Sequence, residues 1–252
     1  MSSGPRYDTI GHGYATGRRP DDRLQRAIMT ALGSSATVLN VGAGTGNYEP
    51  TDRDVVAIEP SAVIIAQRPA GSALAVRGVA EALPFADRSF DAAMALSTVH
   101  HWSDLRAGLA EMARVADRRV VYFCERTLPG MFWLADDYLP SLLSMSINNA
   151  APFAVDVADL LGGDSEIRVF EVPADFGEGS AGAFWSRPEA YCDPAIRATM
   201  SMFALLEPSI VDSGIARLRT DLASGAWDQR HGHLRRRRGL DLGYRIVVSN
   251  AR

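Results

Sequence analysis

Between residues 36 and 124, short apolar runs of strand character alternate with helical patterns, and this alternation constrains the fold more than any other feature. Ala36–Val41, Asp54–Glu59, Ala73–Arg77, Phe90–Leu96 and Arg119–Cys124 read as five strands. Ser61–Gln67 reads as a helix between the second and third. A helix capped at Ser103, with Leu105, Leu109 and Met112 on one face, separates the fourth from the fifth. Such alternation predicts βαβ units and a mainly parallel sheet. Ahead of it, Asp21–Leu32 places Leu24, Ala27, Ile28 and Ala31 at helical spacing, with Gly33 just past the end.

The rest of the chain is less regular. Trp133–Met145 looks helical apart from Pro140, Ile167–Val172 reads as a strand, and Tyr244–Ser249 as the last strand. About seventy residues separate those two strands, too many for a plain loop. Pro194–Leu205 and Ser209–Leu222 each show one apolar helical face. The expectation is a doubly wound α/β fold: a seven-stranded, mainly parallel sheet with helices on both faces and a helical insertion between the last two strands. One domain is expected over 1–252, with a leader at 1–20, a core at 36–124, and insertions at 125–165 and 173–240.

Composition removes several function classes. All 26 basic residues are arginine, so Schiff-base lysine chemistry and a lysine-bearing Walker A loop are excluded. A net charge of −4 argues against a general nucleic-acid-binding surface. Arg235–Arg238 is the one basic run, read as a solvated turn in preference to a phosphate patch. Cys124 and Cys192 stand alone, as in a reduced compartment, and no apolar run is long enough to span a bilayer. A soluble, cytoplasmic protein with no membrane or nucleic-acid partner is expected. His231 and His233 have no carboxylate or cysteine at ligand spacing and read as surface loop; no metal is expected.

The most informative stretch is Val38-Leu-Asn-Val-Gly-Ala-Gly-Thr-Gly46, a strand ending in three alternate glycines. Glycine lets a backbone turn sharply and approach a ligand closely. Glu59, at the end of the next strand, can accept hydrogen bonds from both hydroxyls of a ribose. These residues, together with Gly78-Val-Ala-Glu-Ala-Leu-Pro-Phe85, Phe90-Asp91 and the helix carrying Glu111 and Arg114, resemble the class I methyltransferases that use S-adenosylmethionine (SAM). The similarity is to the small-molecule branch that includes the ubiquinone and menaquinone biosynthesis type, and it covers roughly residues 7 to 124. The resemblance implies a Rossmann-like sheet and SAM as cofactor. It implies a SAM site of Asn40, Gly42, Ala43, Gly44, Gly46, Glu59, Pro60, Ala80, Glu81 and Ser97. Three departures stand out: Asn40 where the family usually has Asp, Val79 where it often has Asp, and Ala116-Asp-Arg-Arg119 in place of a Lys-Pro-Gly-Gly turn.

Methyl transfer from a sulfonium is an in-line displacement, so the protein has to align the acceptor and remove its proton where necessary. In an open α/β sheet the ligand lies beyond the carboxyl ends of the strands. His100-His101-Trp102, just after the fourth strand, is therefore the place for a general base, with packing under the cofactor as the equal alternative. By resemblance, the leader folds over the cofactor: Tyr14 and Arg19 would meet the methionine carboxylate, and Tyr7 would border the acceptor. Tyr14 joins His101 and His100 as a catalytic candidate. The acceptor pocket is expected among Trp133, Tyr138, Trp185 and Arg187, with Phe132, Phe184 and Tyr191 nearby; each taken singly reads in preference as core. Glu171 reads as a second base or, in preference, a solvated edge carboxylate. A small-molecule acceptor is implied, with a specialised natural product expected; oxygen, nitrogen and carbon acceptors stay open. A non-methylating cyclase, a binding module and a nucleic-acid methyltransferase are the other readings.

Overall fold

The computed structural model describes residues 20–177 and 179–251, and helix α1 spans Asp22–Leu32. The Asp21 carboxylate accepts the Arg23 N–H at 2.9 Å and caps the helix. Leu24, Ile28, Ala31 and Leu32 form its buried face. The strands are β1 (Thr37–Val41), β2 (Asp54–Glu59), β3 (Leu74–Arg77), β4 (Phe90–Leu96), β5 (Ala116–Cys124), β6 (Asp164–Val169), β7 (Val172–Pro173), β8 (Gly239–Leu240) and β9 (Tyr244–Asn250). Seven of them form one sheet in the order β3-β2-β1-β4-β5-β9-β6; β7 and β8 make a separate two-stranded ribbon. β9 runs antiparallel to both its neighbours, and the other pairings in the sheet are parallel. The expected seven-stranded, doubly wound sheet is present. Central strands β1 and β4 are nearly continuous apolar runs because both faces of the sheet are covered.

A short helix, α2 (Ala62–Ile65), follows β2. One apolar cluster joins α1 to the later helical segments; the other lies under α3 (Leu105–Val115) and α4 (Ala154–Leu161). Between α4 and the end of the chain, α5 (Pro208–Ser224) and α6 (Ala226–His231) are the main helices of the late insertion.

Several boundaries differ from expectation. β6 begins at Asp164, three residues before the expected start, because a polar segment serves at an exposed sheet edge; Val172 instead pairs with Leu240 in the ribbon. α3 runs directly into β5 at Ala116, so Ala116–Arg119 is strand and no turn stands there. Its cap is Asp104, whose carboxylate accepts the Ala107 N–H at 3.0 Å. Ser103 is drawn away by the Glu81 carboxylate, which accepts both its N–H and its hydroxyl. Trp133–Met145 is not one helix: a π-type turn at Leu134–Tyr138 and a short helix at Ser141–Ser144 flank Leu139 and Pro140.

An aromatic cluster organises the insertions. Trp133 packs edge-on against Trp227, Tyr191 and Tyr138 at centroid distances of 5.3, 5.7 and 5.9 Å. Its indole N–H donates to the Trp185 carbonyl, and the Trp185 indole donates to the Val172 carbonyl. Because this hub is fully enclosed, Trp133→Ala should lower the unfolding free energy by about 3–5 kcal/mol. Urea denaturation followed by fluorescence checks this.

Candidate functional site

The carboxyl ends of β1, β2 and β4 converge on the glycine loop. Its entry is tied to β2: the Gly42 and Ala43 N–H groups both donate to the Ile58 carbonyl, at 2.8 and 2.9 Å. Gly42 has φ +68°, and a Cβ there would lie 2.2 Å from Thr98 Oγ1, so the loop backbone presses directly on the turn after β4. At Gly44 a Cβ would meet nothing within 4 Å, which leaves open space beside the loop. The buried Glu59 carboxylate accepts the Gly44 N–H with one oxygen and the Ser61 N–H with the other, each at 2.9 Å. Pro60 follows it, partly exposed.

Two residues without any sequence signature hold this arrangement. Glu49 and Arg68, both buried, form an ion pair at 2.7 Å. Arg68 also donates to the Gly44 carbonyl at 3.0 Å and to the Ala73 carbonyl at 3.2 Å. The Asn40 amide donates to Glu49 at 3.0 Å, which fixes the orientation of that amide. Its other atom, Oδ1, is buried with no partner among the described residues. The only hint in the sequence is Asn40 itself, an amide where the resembling family has a carboxylate.

On the other side of the loop, Ala80 is buried while Val79 is exposed. Glu81 is taken up by Ser103 and Asp104 and braces the start of α3. The Leu-Pro-Phe segment is clamped to the same helix: Glu111 accepts the Leu83 N–H at 2.8 Å, and Arg114 donates to the Leu83 and Phe85 carbonyls while pairing with Glu111 at 2.7 Å.

After β4 the chain makes a tight turn. Ser97 has φ +53°, costly for a residue with a side chain and held by its N–H donating to the Tyr122 carbonyl at 2.7 Å. Val99–His101 form one 3₁₀ turn. Thr98 bears on Gly42, and the Trp102 ring packs so tightly on Gly108 that a Cβ there would lie 2.4 Å from it. His100 and His101 sit between these two anchors, their rings tilted with centroids 4.0 Å apart. The helix Ser146–Ala150 rests against this turn.

Other expected site residues lie elsewhere. Tyr7, Tyr14 and Arg19 fall outside the described residues. Trp133, Tyr138 and Trp185 are corrected from acceptor contacts to interior core, since each is almost fully enclosed and its polar atom is taken by a protein partner. Arg187 likewise donates to the Phe176 and Ala183 carbonyls and lies over the Phe184 ring. His231 belongs to α6 and not to a surface loop: its ring is 2.7 Å from the Asp137 carboxylate and packs near Trp133 and Trp227. Arg235 is paired with Glu189 and Asp228, and Arg236–Arg238 are exposed. Among the described residues there is no cluster of metal-ligating side chains, and no helix is long and apolar enough to cross a membrane.

The "Methyltransferase domain" family matches residues 39–124, the stretch that carries the glycine loop, Glu59 and the histidine turn. A solved structure from Anabaena variabilis, assigned as a methyltransferase from an antibiotic biosynthesis pathway, is 30% identical and superposes with a TM-score of 0.85 over 94% of this chain and all of that one. The chain belongs to the class I SAM-dependent methyltransferases. A demethylmenaquinone methyltransferase from Renibacterium salmoninarum is 34% identical over 119 residues, 44% of this chain and 49% of that protein. The O-methyltransferase resE of Aspergillus sclerotiorum is 35% identical over 109 residues, 37% and 41% of the respective chains. The aligned segments thus span about half or less of these curated relatives' own length.

SAM is the cofactor of this family, and the residues present fit it. The orphaned Asn40 Oδ1 suits a donor such as the methionine amino group, and the space beside Gly44 leaves the loop backbone open to a ligand. As a class I methyltransferase, the protein should lose SAM affinity when the loop is crowded. Gly42→Ala combines a positive φ with a clash against Thr98, and S-adenosylhomocysteine titration should show affinity lower by about tenfold or more.

The clamp on Leu83 and Phe85 gives a pH test. Glu111 is held below its ordinary value of 4.5, first by hydrogen bonding to Arg114, with the Leu83 N–H and the Arg114 charge adding to it against desolvation. A depressed carboxylate pKa stabilises fully above the unfolded value, and that contribution is lost as pH falls through the folded one. Glu111→Gln should therefore cost about 1–2 kcal/mol at neutral pH, and its stability should decline less steeply than the wild type's below 4.5. Urea unfolding across this pH range measures both effects.

Proposed function

We propose that the chain transfers the methyl group of SAM to a small natural-product acceptor, with His101 taking up the acceptor's proton. The carrying observation is the convergence of the glycine loop, Glu59 and an anchored histidine turn at the carboxyl ends of β1, β2 and β4. The full-length likeness to the Anabaena variabilis protein, with its antibiotic-pathway assignment, supports a natural product as acceptor. The menaquinone-type and O-methyltransferase relatives support a small molecule. The chain works as one unit in the cytoplasm, where thiols stay reduced; burial pushes the Cys124 thiol up to about 12, in keeping with an inert one.

When bound, SAM supplies an electrophilic methyl on a sulfonium leaving group. The work left to the chain is binding, orientation and proton removal. Glu59 would accept from the ribose hydroxyls and Asn40 Oδ1 from the methionine amino group. Gly42–Gly46 would lie against the methionine end, Ala80 would meet the adenine edge through its backbone, and Ser97 would border the methyl group. By the family resemblance, Tyr14 and Arg19 would meet the methionine carboxylate and Tyr7 would border the acceptor. The His101 imidazole would take the proton from the acceptor's attacking atom as that atom gains the methyl group and the sulfur leaves with the bonding pair. His100 sets the orientation of His101, and the helix Ser146–Ala150 walls the acceptor side.

The test uses methyl-labelled SAM with panels of phenolic and amine natural products. Label in the product supports methyl transfer; a rearranged product without label favours the cyclase reading. With an accepted substrate, His101→Ala should reduce kcat by about 10²–10⁴ and leave SAM affinity nearly unchanged. An equal loss of SAM affinity would assign His101 to cofactor packing.

A further inference from the structure

Among the described residues, β6 is the outer strand of the sheet and pairs only with β9. The Phe170 N–H donates to the Tyr244 carbonyl at 2.9 Å, continuing the β6–β9 register by one residue. In an antiparallel ladder, alternate residues turn their N–H and C=O toward the same neighbour. Asp164, Glu166 and Arg168 therefore turn their backbone groups toward β9, and Ser165, Ile167 and Val169 turn theirs toward the open edge. Ile167 and Val169 have 40% and 54% of their surfaces exposed. They share a face with Ser165, whose hydroxyl lies against the Ala158 and Gly162 carbonyls of α4 and the turn after it. The strand runs back along α4 from there, toward the end that carries Val155, itself 60% exposed.

We propose that β6 is a self-pairing edge, joining this chain to a second copy in an antiparallel, two-fold symmetric dimer centred on Ile167. The backbone parity permits it. In this register Ile167 faces Ile167 of the partner subunit, and Ser165 faces Val169 of the partner subunit. Those are the residues with backbone groups directed outward, so the ladder closes without a shift. The charges select the same register. Glu166 lies opposite Arg168 of the partner subunit, and Arg168 opposite Glu166 of the partner subunit. Within one chain these two side chains already meet at 2.6 Å, Glu166 exposed and Arg168 partly so, and pairing makes an alternating ring of four charges. Centring the pair on Ser165 would instead set Asp164 against Glu166 of the partner subunit, two like charges. Centring it on Val169 would oppose Arg168 to Phe170 of the partner subunit and leave Glu166 outside the strand pair. A one-residue slip would match outward backbone groups with spent ones. The interface is isologous, as two-fold symmetry requires, and covers the exposed Ile167 and Val169.

Sedimentation velocity on the full chain, from about 1 to about 100 µM, tests the proposal in a range suited to a small interface. The mass should rise with concentration from 27.2 kDa toward twice that value. Arg168→Glu sets like charges opposite each other and should weaken the dimer by about tenfold or more. The double swap Glu166→Arg with Arg168→Glu restores opposite charges and should restore the dimer. Ile167→Pro removes an N–H that the β9 ladder does not use, so it should give a monomer with thermal stability close to wild type. A wild-type monomer at the highest concentration overturns the proposal. So does a dimer that survives either single variant, or one that the double swap fails to restore.

Discussion

Gly44 is held at both ends of its peptide units by buried charge, and the geometry of the cofactor site depends on that grip. Its carbonyl accepts from Arg68 and its N–H donates to Glu59. Removing a carboxylate and a guanidinium from water is expensive, and their mutual attraction offsets the cost only when the remaining donors and acceptors are used. Glu49 and Arg68 come close to that condition. The pair shares Asn40, Ala73 and Gly44 as further partners, with Arg68 Nε the one guanidinium nitrogen left over. Such a pair adds little net stability but specifies one position for a loop that three glycines would otherwise leave loose.

The histidine turn is positioned by contact in place of charge. Thr98 fits only because residue 42 lacks a Cβ, and Trp102 fits only because residue 108 lacks one. The glycine loop and α3 thus grip the two ends of one short turn, and Ser97 bears the backbone strain between the sheet and that turn. A strained conformation of this kind persists only where its surroundings over-determine it, and the anchors at Gly42 and Gly108 supply that. Displacing either anchor would move the imidazoles and the loop together.

Features with a local cause were readable from the residues alone. The strands showed in apolar runs, the loop in its glycines, and the ribose-binding carboxylate in its place at the end of β2. Features with a distant cause were not. Ser103 reads as a helix cap until Glu81, twenty-two residues earlier, takes its hydroxyl and N–H and passes the cap to Asp104. β6 starts in a polar segment because an edge strand needs little apolar character, so the expected start fell three residues late. Trp133, Tyr138 and Trp185 have a composition that suits an acceptor wall as well as a core. What separates the two is whether each polar atom finds a partner inside the protein, which depends on residues up to 83 positions away. Glu49 and Arg68 are unremarkable singly, and their meaning arises only when the loop folds between them.

Two of the departures from the family pattern acquire a physical reason in this light. An aspartate at position 40 would bring a second carboxylate to within about 3 Å of Glu49, and like charges that close disfavour joint ionisation. An amide supplies a donor instead, so Asn40 and Glu49 form one substitution unit. Ala116–Arg119 replaces a turn with a strand, and the consecutive arginines in it project to opposite faces of the sheet. Arg118 donates to the Ala31 carbonyl at the end of α1, and Arg119 to the Leu161 carbonyl at the end of α4. Both are carboxyl ends of helices, where unsatisfied carbonyls favour a cation. Arg119 is almost wholly buried, and its desolvation pulls its pKa down, yet it donates to the Leu161 and Asp117 carbonyls and to the Ser249 hydroxyl, which compensate the charge. A guanidinium serves several such acceptors at once through its planar fork of five donors, as Arg68, Arg114 and Arg187 also do. In a chain without lysine, arginine therefore serves as the clasp between loops, helix ends and the sheet that carries the site.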